Sequence, residues 1–217
     1  MSKTAISSKL LENCLDWVYP RKCALCGLLN ENAICDICYE DFKRLDQSVN
    51  YDSGLGSLDY WVRAYYYQGR VAQAVQRIKY DRVTSLAGIM SELLLKVANE
   101  TDLLSADYII PVPIHWKRKF ERGFNQSELI LKNFNQQQIR PNLLKRTRYT
   151  VPQVSLRIQE RLHNLKGCFT ASDQVQNQNI LLIDDVVTSG GTANGCAESL
   201  KKAGAKNVGI LSFAGRP

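Results

Sequence analysis

Histidine is scarce in this chain. The 217 residues contain two, His115 and His163, and neither is an obvious general base, since each fits a structural hydrogen-bonding role equally well. Long apolar runs are missing too: nothing approaches the ~18 uncharged apolar residues that span a bilayer. The first twenty residues carry Glu12 and Asp16 and lack the continuous apolar stretch of a cleaved secretory signal. These absences imply a cytoplasmic protein with no membrane span. No internal repeat or low-complexity tract is present. No Gly-Lys-Ser/Thr follows a glycine-rich turn, which excludes a Walker loop. With 45% hydrophobic and 23% charged residues, the composition is ordinary for a globular protein and excludes disorder as the dominant state.

The chain does carry an uneven charge. Its net charge is +7. Residues 1–100 balance at 12 basic and 12 acidic, whereas 115–166 hold 12 basic residues against Glu121, Glu128 and Glu160. A basic field on an otherwise neutral chain points to a polyanionic partner such as phosphate, pyrophosphate or nucleic acid. A solvated basic face kept for solubility is the alternative.

Periodicity predicts a short amphipathic helix over 1–19, then a cysteine cluster ending near Leu45. The Gly- and Ser-containing stretch 47–60 reads as a linker. Alternating aromatic and β-branched residues predict a strand over 61–67. Two helical stripes follow, Val71, Val75, Ile78 and then Leu86, Ile89, Leu93, Leu94, Val97. Strands are expected over 108–112, 143–147, 180–183 and 208–213, with helices after Asn125 and over 193–203, ending at Gly204. The weakly periodic segment 148–166 reads as a loop. Strands alternating with helices imply an α/β fold, a parallel sheet flanked by helices. The expected division is 1–46 for the helix and cysteine knuckle, 47–60 for the linker and 61–217 for the main domain.

Seven cysteines, an odd number without a leader, do not make a secreted disulfide framework. Cys23, Cys26, Cys35 and Cys38 form two CxxC knuckles. Each such turn aims two sulfurs at one point, and four thiolates close a tetrahedral zinc shell with no position left for catalysis. Redox dithiols or an iron–sulfur cluster are the competing readings; structural zinc is the expectation. Cys168 and Cys196 read as small buried hydrophobes.

The sharpest signal is Ile180-Leu181-Leu182-Ile183-Asp184-Asp185-Val186-Val187-Thr188-Ser189-Gly190-Gly191-Thr192 before a helix. A buried strand delivers two carboxylates to the carboxyl end of a parallel sheet, where open α/β folds bind ligands. Thr188, Ser189 and Thr192 offer hydroxyls, Gly190 and Gly191 admit an anion close to the backbone, and the helix N-terminus favours negative charge. The chemistry implied is a phosphate in the loop, with a hydroxylated sugar or a divalent cation at the acids.

This pattern resembles the signature of type I phosphoribosyltransferases. The resemblance implies that Asp184 and Asp185 bind the ribose of phosphoribosyl pyrophosphate, with Mg²⁺, and that Val187, Thr188, Ser189, Gly190, Gly191 and Thr192 surround its 5′-phosphate. It also implies that Pro111, Val112 and Pro113 form the strand-end loop that contacts pyrophosphate. Arg118, Arg122, Gly123, Phe124, Asn125 and Gln126 make an R-x-x-x-R-G-F-N-Q stretch, and Thr150, Gln153, Arg157, Arg161 and Asn164 occupy the basic segment. Together with the four-cysteine knuckle and the Pro-Val-Pro-x-His stretch, the whole is similar to the ComF family, bacterial proteins associated with DNA uptake in natural competence. A phosphoribosyltransferase-like domain and a role with single-stranded DNA and other competence proteins follow as expectations. If the site turns over, Asp184, Asp185, Arg118, Arg122 and Arg161 are the candidate catalytic groups, the arginines stabilising departing pyrophosphate. A non-catalytic phosphoribosyl pyrophosphate sensor is the remaining reading. Trp116, Phe120, Phe124 and Tyr149 lie interleaved in the basic field, where bases of a single strand could stack.

Overall fold

The structure, a computed structural model, describes residues 21–29, 32–44, 50–52, 56–148 and 167–216. The helix expected over 1–19 and the segment with Thr150, Gln153, Arg157, Arg161, His163 and Asn164 lie outside the described residues.

After the cysteine turns come helix α1 (Asp36–Arg44), strand β1 (Asn50–Asp52) and strand β2 (Tyr60–Tyr66). Two helices follow, α2 (Gly69–Tyr80) and α3 (Leu86–Glu100), then strand β3 (Tyr108–Pro111). Helices α4 (Trp116–Arg122) and α5 (Gln126–Leu129) precede the strands β4 (Leu144–Arg146) and β5 (Phe169–Ala171). The chain ends with β6 (Asn179–Val187), α6 (Gly191–Lys202) and β7 (Asn207–Gly215).

The main sheet has the order β1-β2-β7-β6-β3, in which β2, β7, β6 and β3 are parallel and β1 is an antiparallel edge. β4 and β5 form a separate antiparallel ribbon. The stretch 47–60 is therefore more than a linker, because Asn50–Asp52 pairs with β2. Composition hid this: three polar residues in a Gly/Ser-containing run carry no strand periodicity.

Alternation along the strands supplies two hydrophobic layers. Ile109, Leu181, Ile183, Leu211 and Phe213 join the cluster that buries Val71, Val75 and Ile78 of α2 and Leu86, Met90 and Leu94 of α3. Ile110, Ile180, Leu182, Val208 and Ile210 join the cluster that holds Leu144 and Phe169 of the ribbon and Cys196 and Leu200 of α6. Both faces of the sheet are covered, so β6 is apolar from Ile180 to Ile183 and needs no polar face there. Cys168 and Cys196 are fully buried in this second layer, as small hydrophobes.

The cysteine knuckle is part of the first layer. Cys23, Leu25, Cys38 and Phe42 belong to the same buried cluster as the sheet. Phe42 sits with its ring centroid 6.1 Å from that of Tyr65 and 6.2 Å from that of Phe213. Arg77 Nη1 and Gln73 Nε2, both on α2, donate to the carbonyls of Ala24 and Leu25 at 2.7 and 3.1 Å.

One glycine in the sheet is fixed by close approach. Gly209 is the register partner of Tyr60, and a Cβ at 209 would run into the Tyr60 ring. Gly209→Ala is expected to displace that ring and destabilise the fold by about 1–3 kcal/mol, the usual range for overpacking. Urea unfolding of the variant beside the wild-type chain measures this as a lowered midpoint with unchanged slope.

Candidate functional site

Register places the site. Pro111 pairs with Ile183, and Val112 N–H donates to the Ile183 carbonyl at 2.9 Å, so the end of β3 lies beside the point where β6 delivers Asp184 and Asp185. The next residues turn into α6, whose N-cap is Gly190 with a φ of +70°. This left-handed conformation is open to glycine at little cost, and it lets the backbone curl so that the amide groups at the start of the helix face one concavity. Asp184, Thr188, Ser189, Gly190, Gly191 and Thr192 line a solvent-open cleft of about 280 Å³ there. Val187 is buried at its base, Thr188 is exposed, and Ser189 and Thr192 are half-buried.

The two carboxylates differ in surroundings. Asp184 Oδ1 accepts from Ser127 Oγ at 3.0 Å and from the Asp185 N–H at 2.9 Å. Burial and the like charge of Asp185 push the Asp184 carboxyl well above the usual carboxylate range. Asp185 faces the other way, where Lys79 Nζ on α2 lies 2.8 Å from its Oδ2, with side-chain exposures of 17% and 5%. Burial alone would lower the Lys79 ammonium, but the Asp185 and Asp184 carboxylates outweigh it and hold it above the usual lysine value. The ion pair is thus present across neutral pH and is lost as pH rises through that raised value.

Lys79→Met removes the counter-charge and leaves Asp185 as a buried, unpaired carboxylate. A loss of about 3 kcal/mol at neutral pH is expected from breaking such a pair. Lys79→Arg keeps the charge and should recover part of that loss. Thermal midpoints of the two variants beside the wild-type chain check this: an undiminished midpoint in Lys79→Met, or an equal deficit in both variants, would contradict this role for Lys79.

The R-x-x-x-R-G-F-N-Q stretch is spread over α4 and α5. Asn125 caps α5, its Oδ1 accepting from Ser127 N–H at 3.1 Å while its Nδ2 donates to the Val112 carbonyl at 3.1 Å. One buried side chain therefore ties the strand-end loop of Pro111, Val112 and Pro113 to the helix that presents Ser127 to Asp184. Arg118 and Arg122 are half-buried on α4, and the Arg122 guanidinium lies 5.7 Å from the Tyr80 ring centre. Arg146 of the ribbon stacks 5.4 Å over Phe169; burial and Arg118 lower its guanidinium, while the Asp184 charge favours it. His115 caps α4 by accepting from Lys117 N–H through Nδ1 at 3.3 Å, which makes one of its ring nitrogens a structural acceptor. Burial, Arg146, Arg118 and Lys117 all depress its imidazolium. Arg161 lies outside the described residues.

Lys79 and Ser127 are absent from the set read off the sequence. Ser127 follows Asn125-Gln126 directly and could have been found as the second residue of a capped helix. Lys79 carried no signal, since a lysine in the last turn of a helix is ordinary.

In the same layer, the Sγ atoms of Cys23, Cys26, Cys35 and Cys38 all lie within 4.8 Å of one another, with Cys26 and Cys35 at 3.6 Å. Four sulfurs ~2.3 Å from one zinc stand ~3.8 Å apart in a tetrahedron, so the donor set fits a metal such as zinc. Burial would raise the Cys23 thiol, yet backbone N–H groups of Cys26, Cys35 and Leu25 bring it down to about 6. Burial and the neighbouring cysteines push the Cys38 thiol up. The cluster as it stands thus favours one thiolate, and a cation at its centre would stabilise the rest.

The chain matches the phosphoribosyl transferase domain model over residues 135–217, a C-terminal stretch that contains β6, the loop and α6. It is 33% identical over 151 residues to the DNA utilization protein YhgH of Shigella flexneri, covering 66% of each chain. It is 29% identical over 150 residues to competence protein F of Haemophilus influenzae, covering 64% of this chain and 66% of that one. Together these matches support a ComF-family protein. A further relative, competence protein ComFC of Bacillus subtilis, is 25% identical over 198 residues, 88% of this chain and 75% of its own length. The first two relatives are thus matched over slightly less than two thirds of their length. The fold expected of a ComF protein, a phosphoribosyltransferase-type α/β sheet with four neighbouring cysteines near the N-terminus, is the fold observed. Among the described residues no helix is long and apolar enough to cross a membrane.

Proposed function

We propose that this chain binds phosphoribosyl pyrophosphate at the end of β6 and acts on incoming single-stranded DNA during natural transformation, in the cytoplasm. One observation carries the first part: two carboxylates at a strand end run directly into a glycine-capped helix N-terminus that lines a polar cleft. Amide groups and hydroxyls from Thr188 to Thr192 suit a 5′-phosphate. Asp184 and Asp185 suit ribose hydroxyls, and as hard oxygen donors they and the ligand's diphosphate suit Mg²⁺. Arg118, Arg122 and the loop of Pro111, Val112 and Pro113 flank the same strand ends and are assigned to the pyrophosphate. The four cysteines hold structural zinc.

The DNA part is supported by the names of the relatives and by the basic field. Binding is favoured over turnover by His115, because its Nδ1 is engaged in capping α4 and no other described group stands out as a base for an acceptor. Active transfer of ribose 5-phosphate to a nucleophile would displace pyrophosphate from C1, and Mg²⁺ would neutralise the departing charge.

Calorimetry on one sample tests both parts. Titration with phosphoribosyl pyrophosphate and Mg²⁺ is expected to give one site per chain, and a following titration with a dT oligonucleotide a second heat. No heat in the first titration overturns the ligand assignment; heat in the first and none in the second removes the DNA role.

A further inference from the structure

Helix α4 is an unusual element. None of its seven residues is buried, yet it carries Trp116 at 71% and Phe120 at 87% exposure. The two rings are four residues apart, so they stand on one helix face about one turn from each other. Around them the helix carries Lys117, Arg118, Lys119 and Arg122 against Glu121 on the helix itself and Glu128, which pairs with Lys119 at 3.1 Å. The patch continues onto the end of α2, where exposed Tyr80, 71% accessible, lies against the Arg122 guanidinium. The sequence offered Trp116, Phe120, Phe124 and Tyr149 without distinction. The structure separates them, because Phe124 packs partly buried on the first hydrophobic layer and Tyr149 lies outside the described residues.

Trp116 touches the His115 ring, 5.3 Å between centroids, but most of it and nearly all of Phe120 stay open to water. Such exposure costs hydration free energy, so the use of the pair lies in what covers it. A second copy of the same helix would bring the same positive charge and be repelled. A polyanion with flat apolar faces meets both features, cations for its phosphates and rings for its bases. Duplex DNA keeps its bases stacked inside and offers no face to such rings. We infer that the exposed face of α4, with Trp116 and Phe120 as stacking platforms and Lys117 among its phosphate contacts, is the surface on which this chain holds single-stranded DNA. The inference rests on the DNA part of the proposed function and supplies its location. The surface adjoins the acid-pair site through α5, whose Ser127 bonds Asp184.

The test is fluorescence anisotropy with a labelled dT20 strand across 50–200 mM salt. Trp116→Ala with Phe120→Ala is expected to weaken binding at least tenfold at each salt, since stacking is sequence-tolerant and contributes at every platform. The double variant should keep the salt slope, whereas Lys117→Ala should make it shallower by about 0.7, the share of a single phosphate on a single strand. Trp116→Phe with Phe120→Tyr keeps both rings and should keep the affinity. Because α4 buries nothing, the thermal midpoint of each variant should stay within about 2 °C of wild type. Undiminished dT20 binding by the alanine double variant would overturn this surface and leave the DNA role standing. So would equal affinity for a 20-base-pair duplex, or a preference for vesicles with anionic headgroups over dT20. Absence of dT20 binding by the wild-type chain would overturn the DNA role itself.

Discussion

Asp184→Asn is expected to lower the affinity for Mg²⁺–phosphoribosyl pyrophosphate at least a hundredfold while leaving the fold as stable as before, or more so. The two effects have one cause. Asp184 sits half-buried beside Asp185, and burial together with that like charge holds its carboxyl above its unfolded-state value. A group raised in this way disfavours folding above that range, and the penalty fades as pH falls through it. Asn removes the charge and can keep the hydrogen bonds from Ser127 Oγ and the Asp185 N–H through its amide oxygen. A ligand hydroxyl or cation then loses a charged acceptor, and charge-assisted hydrogen bonds contribute about 1.5–3 kcal/mol each. Asp185→Asn should lose binding as well, but for a different total effect. It strips Lys79 of its 2.8 Å partner in a site where that ammonium is largely shielded from water, so this variant should unfold at a lower temperature. Calorimetric titration and thermal melts of the two variants, side by side, check the contrast. Equal melting of both, or retained affinity in Asp184→Asn, would contradict these roles for the acid pair.

Stripping the metal from the four cysteines is the second large effect. Cys38→Ser, or a strong chelator, is expected to lower the thermal midpoint by more than about 10 °C. Structural zinc contributes folding free energy directly, about 10–16 kcal/mol in isolated finger peptides, and a loss of even about 5 kcal/mol moves a chain of this size by 10–20 °C. Here the knuckle is not an appendage. Its Ala24 and Leu25 carbonyls take hydrogen bonds from α2, and Phe42 packs against both Tyr65 of β2 and Phe213 of β7. α2 is also the helix that carries Lys79 to Asp185. Loosening the knuckle should therefore weaken ligand binding at the acid pair, through α2. Metal analysis is expected to find one zinc per chain. A chelated sample with no zinc and an unchanged midpoint would contradict the structural role.

Much of this architecture was legible in the sequence, for identifiable reasons. Ile180, Leu181, Leu182 and Ile183 announced a strand covered on both faces because nothing else needs four consecutive apolar residues before two acids. The stripes in α2 and α3 were legible because each helix buries one face only. The cysteine spacing was legible because local chain geometry alone brings the sulfurs of each CxxC together. What escaped was non-local or too short to have a period. β1 is three residues long and is defined by its partner β2. β5 was hidden in the same way and is defined by β4. Lys79 meets Asp185 only because α2 is laid across the sheet, a fact of tertiary structure that no local pattern encodes. The charge surplus pointed to an anion, but only the structure separated Arg146, stacked on Phe169, from the exposed lysines of α4.

The central claim is that the loop following the acid pair is a phosphoribosyl pyrophosphate site. Hydrogen exchange, read residue by residue with and without the ligand and Mg²⁺, tests it most directly. Slowed exchange is expected at the amides from Thr188 to Ala193, where the cleft-lining backbone faces the bound phosphate, with little change on the distant strand β1. Binding accompanied by unchanged exchange in that loop, with protection appearing elsewhere, would contradict it.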